Sequence, residues 1–275
     1  VNTVSVNRRV EALIVPTLER LPVVSYYTKT RGWPFVLAWL HRISGVLLVL
    51  YVLFHIYTLS FLQAPEAYDA KMQFLRFTVF LVLEWALAIP VVFHAFNGGR
   101  LILYELFGAR EDPTVIRWVW ILGILYVFLL GIMMISGNQN VTPGFFWLTA
   151  LLIACVLAYV VAMQIWNADI SFGWKLQRIT GSFLLIMIPA HMLFMHLNIN
   201  TGHDAGVVIA RMQNTFIKVV DIGLVGGVLF HSGYGLLSII KDYVSSKLLQ
   251  NICFLVICGV MVLFAWVGVK LTIFI

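Results

Sequence analysis

The chain has 275 residues, 61% of them hydrophobic and only 11% charged, with a mean hydropathy of +0.96. No soluble domain of this size tolerates that composition on its surface, so the sequence specifies an integral membrane protein. The net charge of +6 would point to nucleic acid in a soluble chain; here it sets orientation in the bilayer, and no nucleic-acid partner is expected.

In chain order, residues 1–33 are polar and charged and lack the short apolar core and cleavage site of a signal peptide, so they are expected to form a cytoplasmic arm. Apolar runs of about 20 residues, the length that crosses the hydrocarbon layer, follow. They lie near 34–62, 74–104, 116–137, 145–168, 175–198, 215–242 and 250–274, which predicts about seven transmembrane helices in an all-α fold. The third and fourth are joined by a turn cluster running from Gly137 to Gly144. Arg8, Arg9, Arg20, Lys29, Arg31, Arg42, Arg100, Arg110, Arg117, Lys175, Arg178, Lys241 and Lys247 then fall on the side of the N-terminus, and Lys71, Arg76, Arg211, Lys218 and Lys270 on the other. That excess predicts a cytoplasmic N-terminus in a multi-pass membrane protein. Cys155, Cys253 and Cys258 lie in apolar runs without CxxC or CxxCH spacing, which argues against disulfides, thiolate clusters and covalent haem.

An internal repeat organises the rest. Arg42-Ile43-Ser44-Gly45 with His55 thirteen residues beyond the arginine recurs as Arg178-Ile179-Thr180-Gly181 with His191, at an offset of 136. His94 with Gly98 recurs as His231 with Gly235, and the acid ten residues earlier, Glu84, recurs as Asp221, at an offset of 137. The repeat divides the chain into a first half, 34–114, an extra helical hairpin, 115–170, and a second half with a final helix, 171–275.

An intramembrane histidine is costly unless it is engaged, so four at matched places point to function. Thirteen residues at 1.5 Å each put His55 and His191 roughly 20 Å beyond their arginines, at one level. His94 and His231, on helices running the opposite way, lie nearer the arginine end, roughly 9 Å from Arg100 and 15 Å from Lys241. The spacing predicts two tiers, His55 with His191 and His94 with His231, each holding a non-covalent haem b in a four-helix core. Two axial imidazoles leave no open position on the iron, so electron transfer is the expected chemistry. Gly98 and Gly235, on the histidine faces of their helices, are expected to make room for the flat macrocycle, with Gly45 and Gly181 nearer the neighbouring faces. Ordinary small-residue helix packing accounts for these glycines equally well. A two-histidines-per-helix arrangement fails, because the counterpart of His41 is Gln177; His41 is instead expected at a propionate or a quinone oxygen. Glu84, deep among apolar neighbours, is a candidate for proton transfer. Asp221 is expected to pair with Lys218, and His196 and His203 to be interfacial and loop residues.

The run His41-Arg42-Ile43-Ser44-Gly45 opening a helix, followed by His55, resembles the membrane anchors of succinate dehydrogenase and fumarate reductase. One histidine on each of four helices is similar to the single-chain cytochrome b of the two-haem, menaquinone-linked members, over about 34–104 and 175–275. The resemblance implies His55 and His191 as ligands of the distal haem and His94 and His231 as ligands of the proximal one. It also implies roles for His41, Arg42, Ser44, Arg100 and Arg178 near propionates or quinone, and docking of a flavoprotein and an iron-sulfur subunit on the cytoplasmic side. The chain departs from the pattern in its extra hairpin, in Ala38 where ubiquinone-linked relatives have serine, and in Leu229 where some menaquinol-linked relatives have glutamate. Two other readings fit the histidines: a cytochrome b anchor of a hydrogenase or formate dehydrogenase, and a haem-free proton-coupled transporter built from parallel repeats.

Overall fold

The computed structural model describes residues 16, 20–108, 125, 143–196 and 204–275; at Leu81, Glu84, Trp85, Pro143 and His196 it describes the backbone alone. The expected helix 116–137 apart from Leu125, most of the turn cluster that follows it, the first part of the arm and His203 lie outside these residues. Every regular element within them is helical.

The chain divides into two compact units, Val1–Ser44 and Gly45–Ile275, with the boundary inside a helix. In the first, α1 (Pro22–Arg31) stops at Gly32, whose φ of 80° suits glycine alone and whose N–H closes onto the Thr28 carbonyl at 3.1 Å. Phe35 at the start of α2 (Trp33–Leu59) lies with its ring centre 5.7 Å from the Tyr27 ring and under the Arg31 guanidinium.

The second unit continues with the rest of α2 and a 3₁₀ turn, Ser60–Gln63. Then come α3 (Pro65–Leu75), α4 (Thr78–Ala86), α5 (Ala88–Leu106), α6 (Pro143–Ile165) and α7 (Phe172–His191), which passes into a π-helical segment, Met192–His196. α8 (Ala205–Met212), α9 (Thr215–Tyr243) and α10 (Lys247–Phe274) complete it. Five stretches are long and apolar enough to cross a membrane: Trp33–Gln63, Gly144–Ile165, Phe172–Met195, Thr215–Tyr243 and Lys247–Phe274. They answer to the expected first, fourth, fifth, sixth and seventh spans.

The expected second span, 74–104, is not one helix. Its first residues belong to α3, and the remainder is interrupted at Leu87 between α4 and α5. Pro90 explains the interruption: it has no N–H for the Ala86 carbonyl and its ring crowds that carbonyl, and Ala86 is where α4 ends. Pro189 lies inside α7, where it lacks an N–H for the Leu185 carbonyl without ending the helix, and the π-helical turns begin three residues later.

α7 is the centre of the unit and packs against α5, α6 and α9, while α10 lies along α9. Its core is Ile186, Met187 and Ala190 of α7 against Phe146, Trp147, Ala150 and Ala154 of α6 and Ile217, Val220 and Leu224 of α9. Small residues let the backbones close: a Cβ on Gly268 of α10 would stand 3.0 Å from Val225 of α9. Leu248, Leu255 and Val262, seven residues apart on α10, are all well exposed and form a stripe suited to lipid. Helix starts are capped by short polar side chains, Ser171 for α7, Asn214 for α9 and Ser246 for α10.

At the end of the second unit away from Arg100 and Arg178, α3 and α8 pack together. Asp69 of α3 accepts the Ala205 N–H at 2.9 Å and Asp204 accepts from Val207 at 2.9 Å, so two carboxylates cap one short helix. Tyr68 beside Asp69 is buried; desolvation, then the neighbouring carboxylate, push its phenol up to about 12.

Candidate functional site

The second unit brings the four repeated histidines together in two pairs. The ring centres of His55 on α2 and His191 on α7 are 6.2 Å apart with the planes at 86°. Those of His94 on α5 and His231 on α9 are 6.3 Å apart with the planes at 85°. All four are half-buried. Two metal–imidazole bonds of about 2 Å, with about 1 Å from each nitrogen to its ring centre, span about 6 Å, so each pair is spaced as two ligands on opposite sides of one metal would be. Tyr51, one turn before His55, lies parallel to it with ring centres 5.8 Å apart.

The glycines of the Arg-Ile-Ser/Thr-Gly motif have a different place from the one expected. A Cβ on Gly45 would stand 3.0 Å from Cε1 and 3.5 Å from Nδ1 of His94; one on Gly181 would stand 3.1 Å and 3.4 Å from the same atoms of His231. Each motif glycine therefore seats the histidine of the next histidine-bearing helix in its own half, not its own helix's histidine. Both rings present the same edge to the glycine, which fixes the spacing of the tiers as well. Gly45 precedes His55, and Gly181 precedes His191, by ten residues, so the two pairs stand about 15 Å apart along the helix axes. Gly235, expected to face open space for a macrocycle, has the Gln177 amide nitrogen 3.7 Å from its Cβ position. Gly98 is half-buried on α5.

Gln177 is the contact that sequence reasoning passed over. Its main-chain oxygen lies 3.3 Å from Nδ1 of His231, and a carbonyl can only accept, so Nδ1 carries the proton. Nε2 is thereby left with its lone pair, the nitrogen available to a metal. The Gln177 side-chain nitrogen lies 3.5 Å from that Nε2. Thr180 donates to the carbonyls of Leu176 at 2.7 Å and Gln177 at 3.3 Å, and Ser44 to that of His41 at 3.0 Å, so the hydroxyl before each motif glycine is satisfied within its own helix. The signal for Gln177 was its position as the counterpart of His41.

Arg178 donates through Nε at 2.8 Å and Nη2 at 2.6 Å to a single oxygen of Glu105, at the end of α5, and its guanidinium lies 4.4 Å from the Trp174 ring centre. Arg100 donates to Asn97 Oδ1 at 3.0 Å and lies over Tyr104. Two cations are thus held by defined partners near the shallow pair. Glu105 was legible only as an acid ending an apolar run. His41, Arg42 and Ser44 belong to the unit Val1–Ser44, where Ser44 is buried. Lys218 does not pair with Asp221; it donates to the Ile273 carbonyl at 3.3 Å near the end of α10. Glu84 lies on α4, but its side chain, like that of His196, is outside the description.

The chain matches the family model for the succinate dehydrogenase/fumarate reductase transmembrane subunit over residues 27–133. It is similar to the succinate dehydrogenase 2 membrane subunit SdhC of Mycobacterium tuberculosis (strain ATCC 25618 / H37Rv), 31% identical over 106 residues that make up 38% of this chain and 76% of that protein. No solved structure matches the chain significantly. With its membrane-spanning helices and the motif residues inside the matched segment, the chain belongs to the succinate dehydrogenase/fumarate reductase transmembrane-subunit family and is a membrane subunit of a complex II-type enzyme.

Proposed function

We propose that this subunit carries two haems b, one between His55 and His191 and one between His94 and His231, and passes electrons between an iron-sulfur subunit and menaquinone. Family membership sets aside the hydrogenase or formate dehydrogenase anchor and the proton-coupled transporter. The observation that carries the proposal is the matched spacing of the two imidazole pairs. Haem held between these imidazoles, His55 with His191 and His94 with His231, would supply one-electron transfer.

The chain's own residues do the rest. Gly45 and Gly181 seat the shallow histidines, and the Gln177 carbonyl holds the His231 ring in the tautomer that keeps Nε2 for metal. Arg42, Arg100 and Arg178 supply positive charge for propionates, and His41 and Ser44 a polar surface for propionate or quinone; Gly98 and Gly235 keep their helices slim. Glu84 is the group proposed to take up a compensating proton, since a charge crossing the membrane potential costs about 2.3 kcal/mol per 100 mV. The flavoprotein and iron-sulfur partners dock at the arginine-rich end, which we place in the cytoplasm of a bacterial inner-membrane protein, with lipid around the apolar stripes.

Haem extraction and spectroscopy of the purified complex test the reading. Two non-covalent haems b are expected. Imidazole planes crossed near a right angle leave the iron dπ orbitals nearly degenerate, so highly anisotropic low-spin EPR signals are expected from both. Absence of haem, or a high-spin iron with an open position, would overturn it.

A further inference from the structure

The two halves differ chemically at one point next to the shallow pair: Gln177 stands where the repeat has His41. In the second half that residue touches both nitrogens of a ligand ring, the main-chain oxygen at Nδ1 and the side-chain amide at Nε2. The amide is enclosed: its Oε1 is buried and has no hydrogen-bond partner among the described residues, and its nitrogen faces both His231 and the Cβ position of Gly235. A buried amide that forgoes a partner for its oxygen is costly unless its orientation does something.

We propose that Gln177 is the positioning residue that makes the shallow haem differ in potential from the deep one. The inference rests on the haem reading above. Its main-chain carbonyl sets the tautomer of His231, a part no side-chain change removes. Its side chain adds an oriented dipole. Were the Nε2 lone pair held by a metal, the nearby N–H would have nothing to bond to on that atom and would act through the positive end of the amide, opposing the additional positive charge of the ferric state. The low dielectric around it keeps the effect from being screened. Gly235 is part of the arrangement, because a side chain there would compete with the amide for its place.

The test is a redox titration of both haems in the intact complex carrying Gln177→Leu, Gln177→Asn or Gln177→Glu. All three are expected to retain two low-spin haems, because the carbonyl contact and the Gly181 seat are untouched. In Gln177→Leu the one-electron equilibrium of the shallow haem is expected to move roughly tenfold toward the ferric form, a fall of about 59 mV, with the deep haem unchanged. Gln177→Glu, which replaces the donor by an acceptor, is expected to fall further, and Gln177→Asn, which keeps an amide, to lie between glutamine and leucine. Assignment of the shallow haem comes from His94→Ala, which removes it. Unchanged potentials in the leucine and glutamate variants, or equal shifts of both haems, would overturn the proposal while leaving the two-haem reading intact. A complex without two haems would remove that reading itself, and is seen in the haem count before any potential is measured.

Discussion

The two halves of the repeat reach the same histidine-pair geometry with opposite helices interrupted. In the first half the helix of His55 is unbroken from Trp33 to Leu59, and the helix of His94 is interrupted one turn upstream, where Pro90 separates α4 from α5. In the second half α9, which carries His231, is unbroken over 29 residues, and it is α7 that contains Pro189 and becomes π-helical just past His191. The counterpart of Pro90 is Gly227, which keeps its N–H and instead lets Phe183 approach to 3.6 Å of its Cβ position. Each histidine pair therefore joins one continuous and one interrupted helix, yet the ring separations differ by only 0.1 Å. An unbroken helix fixes one histidine and an interrupted helix brings the other to it. What the halves share without exception is the glycine seat, which points to that contact as the one that registers the site.

The most severe break in the comparison is to remove a ligand from one tier. His191→Ala is expected to take the bound haem count from two to one and abolish quinone reduction, with the EPR signal of the shallow haem surviving; loss of both signals would show that the tiers are not independent. Next in size are Gly45→Ala and Gly181→Ala, where the new methyl meets a histidine ring at 3.0–3.1 Å. Each is expected to cost about 1–3 kcal/mol and to lower occupancy of the shallow haem only. Gly226→Ala and Gly259→Ala, where no atom of the described residues lies within 4 Å, serve as controls and are expected to be neutral or stabilising by up to about 1 kcal/mol. Equal effects at the four glycines would refute the seating role.

Smaller changes sharpen the contrast between interrupted and continuous helices. Pro189→Ala restores a donor to α7 and is expected to retain both haems while altering the EPR anisotropy of the deep one alone; Pro90→Ala is expected to do the same for the shallow one. The smallest effect belongs to Glu105→Gln. Its pair with Arg178 is partly exposed, 22% and 35% for the two side chains, so the expected loss is on the order of 1 kcal/mol or less, diminishing in high salt. A thermal melt at two ionic strengths measures it.

Much of this was legible in the residues. Hydropathy located every described long span, and counting from Arg42 and Arg178 placed His55 and His191 at one level, because helical rise converts sequence separation directly into depth. Three things escaped that arithmetic. Pro90 sits in an unbroken apolar run, and hydropathy does not register a missing N–H, so 74–104 read as one span. The short helices α3 and α8 are too short to produce a spanning signal. The seats of Gly45 and Gly181 are contacts between helices, and face-counting along one helix cannot say which neighbour fills a gap. For the same reason Gln177 stood out only as a missing histidine.

Three of the contacts described above join residues separated by the repeat's own offset: His55 with His191, His94 with His231, and, at 136 residues, Asp69 with Ala205. A position that meets its own copy lies on a two-fold axis, and such isologous contacts are what a closed homodimer of half-length chains would make. The same 106 residues are 38% of this chain and 76% of its mycobacterial relative, so that relative is half as long. A half-length chain would need a second polypeptide to bring such histidine pairs together, an association that dilution opposes. Here both partners are tethered in one polypeptide, so completing each pair is an intramolecular event whose outcome does not depend on how much protein the membrane holds.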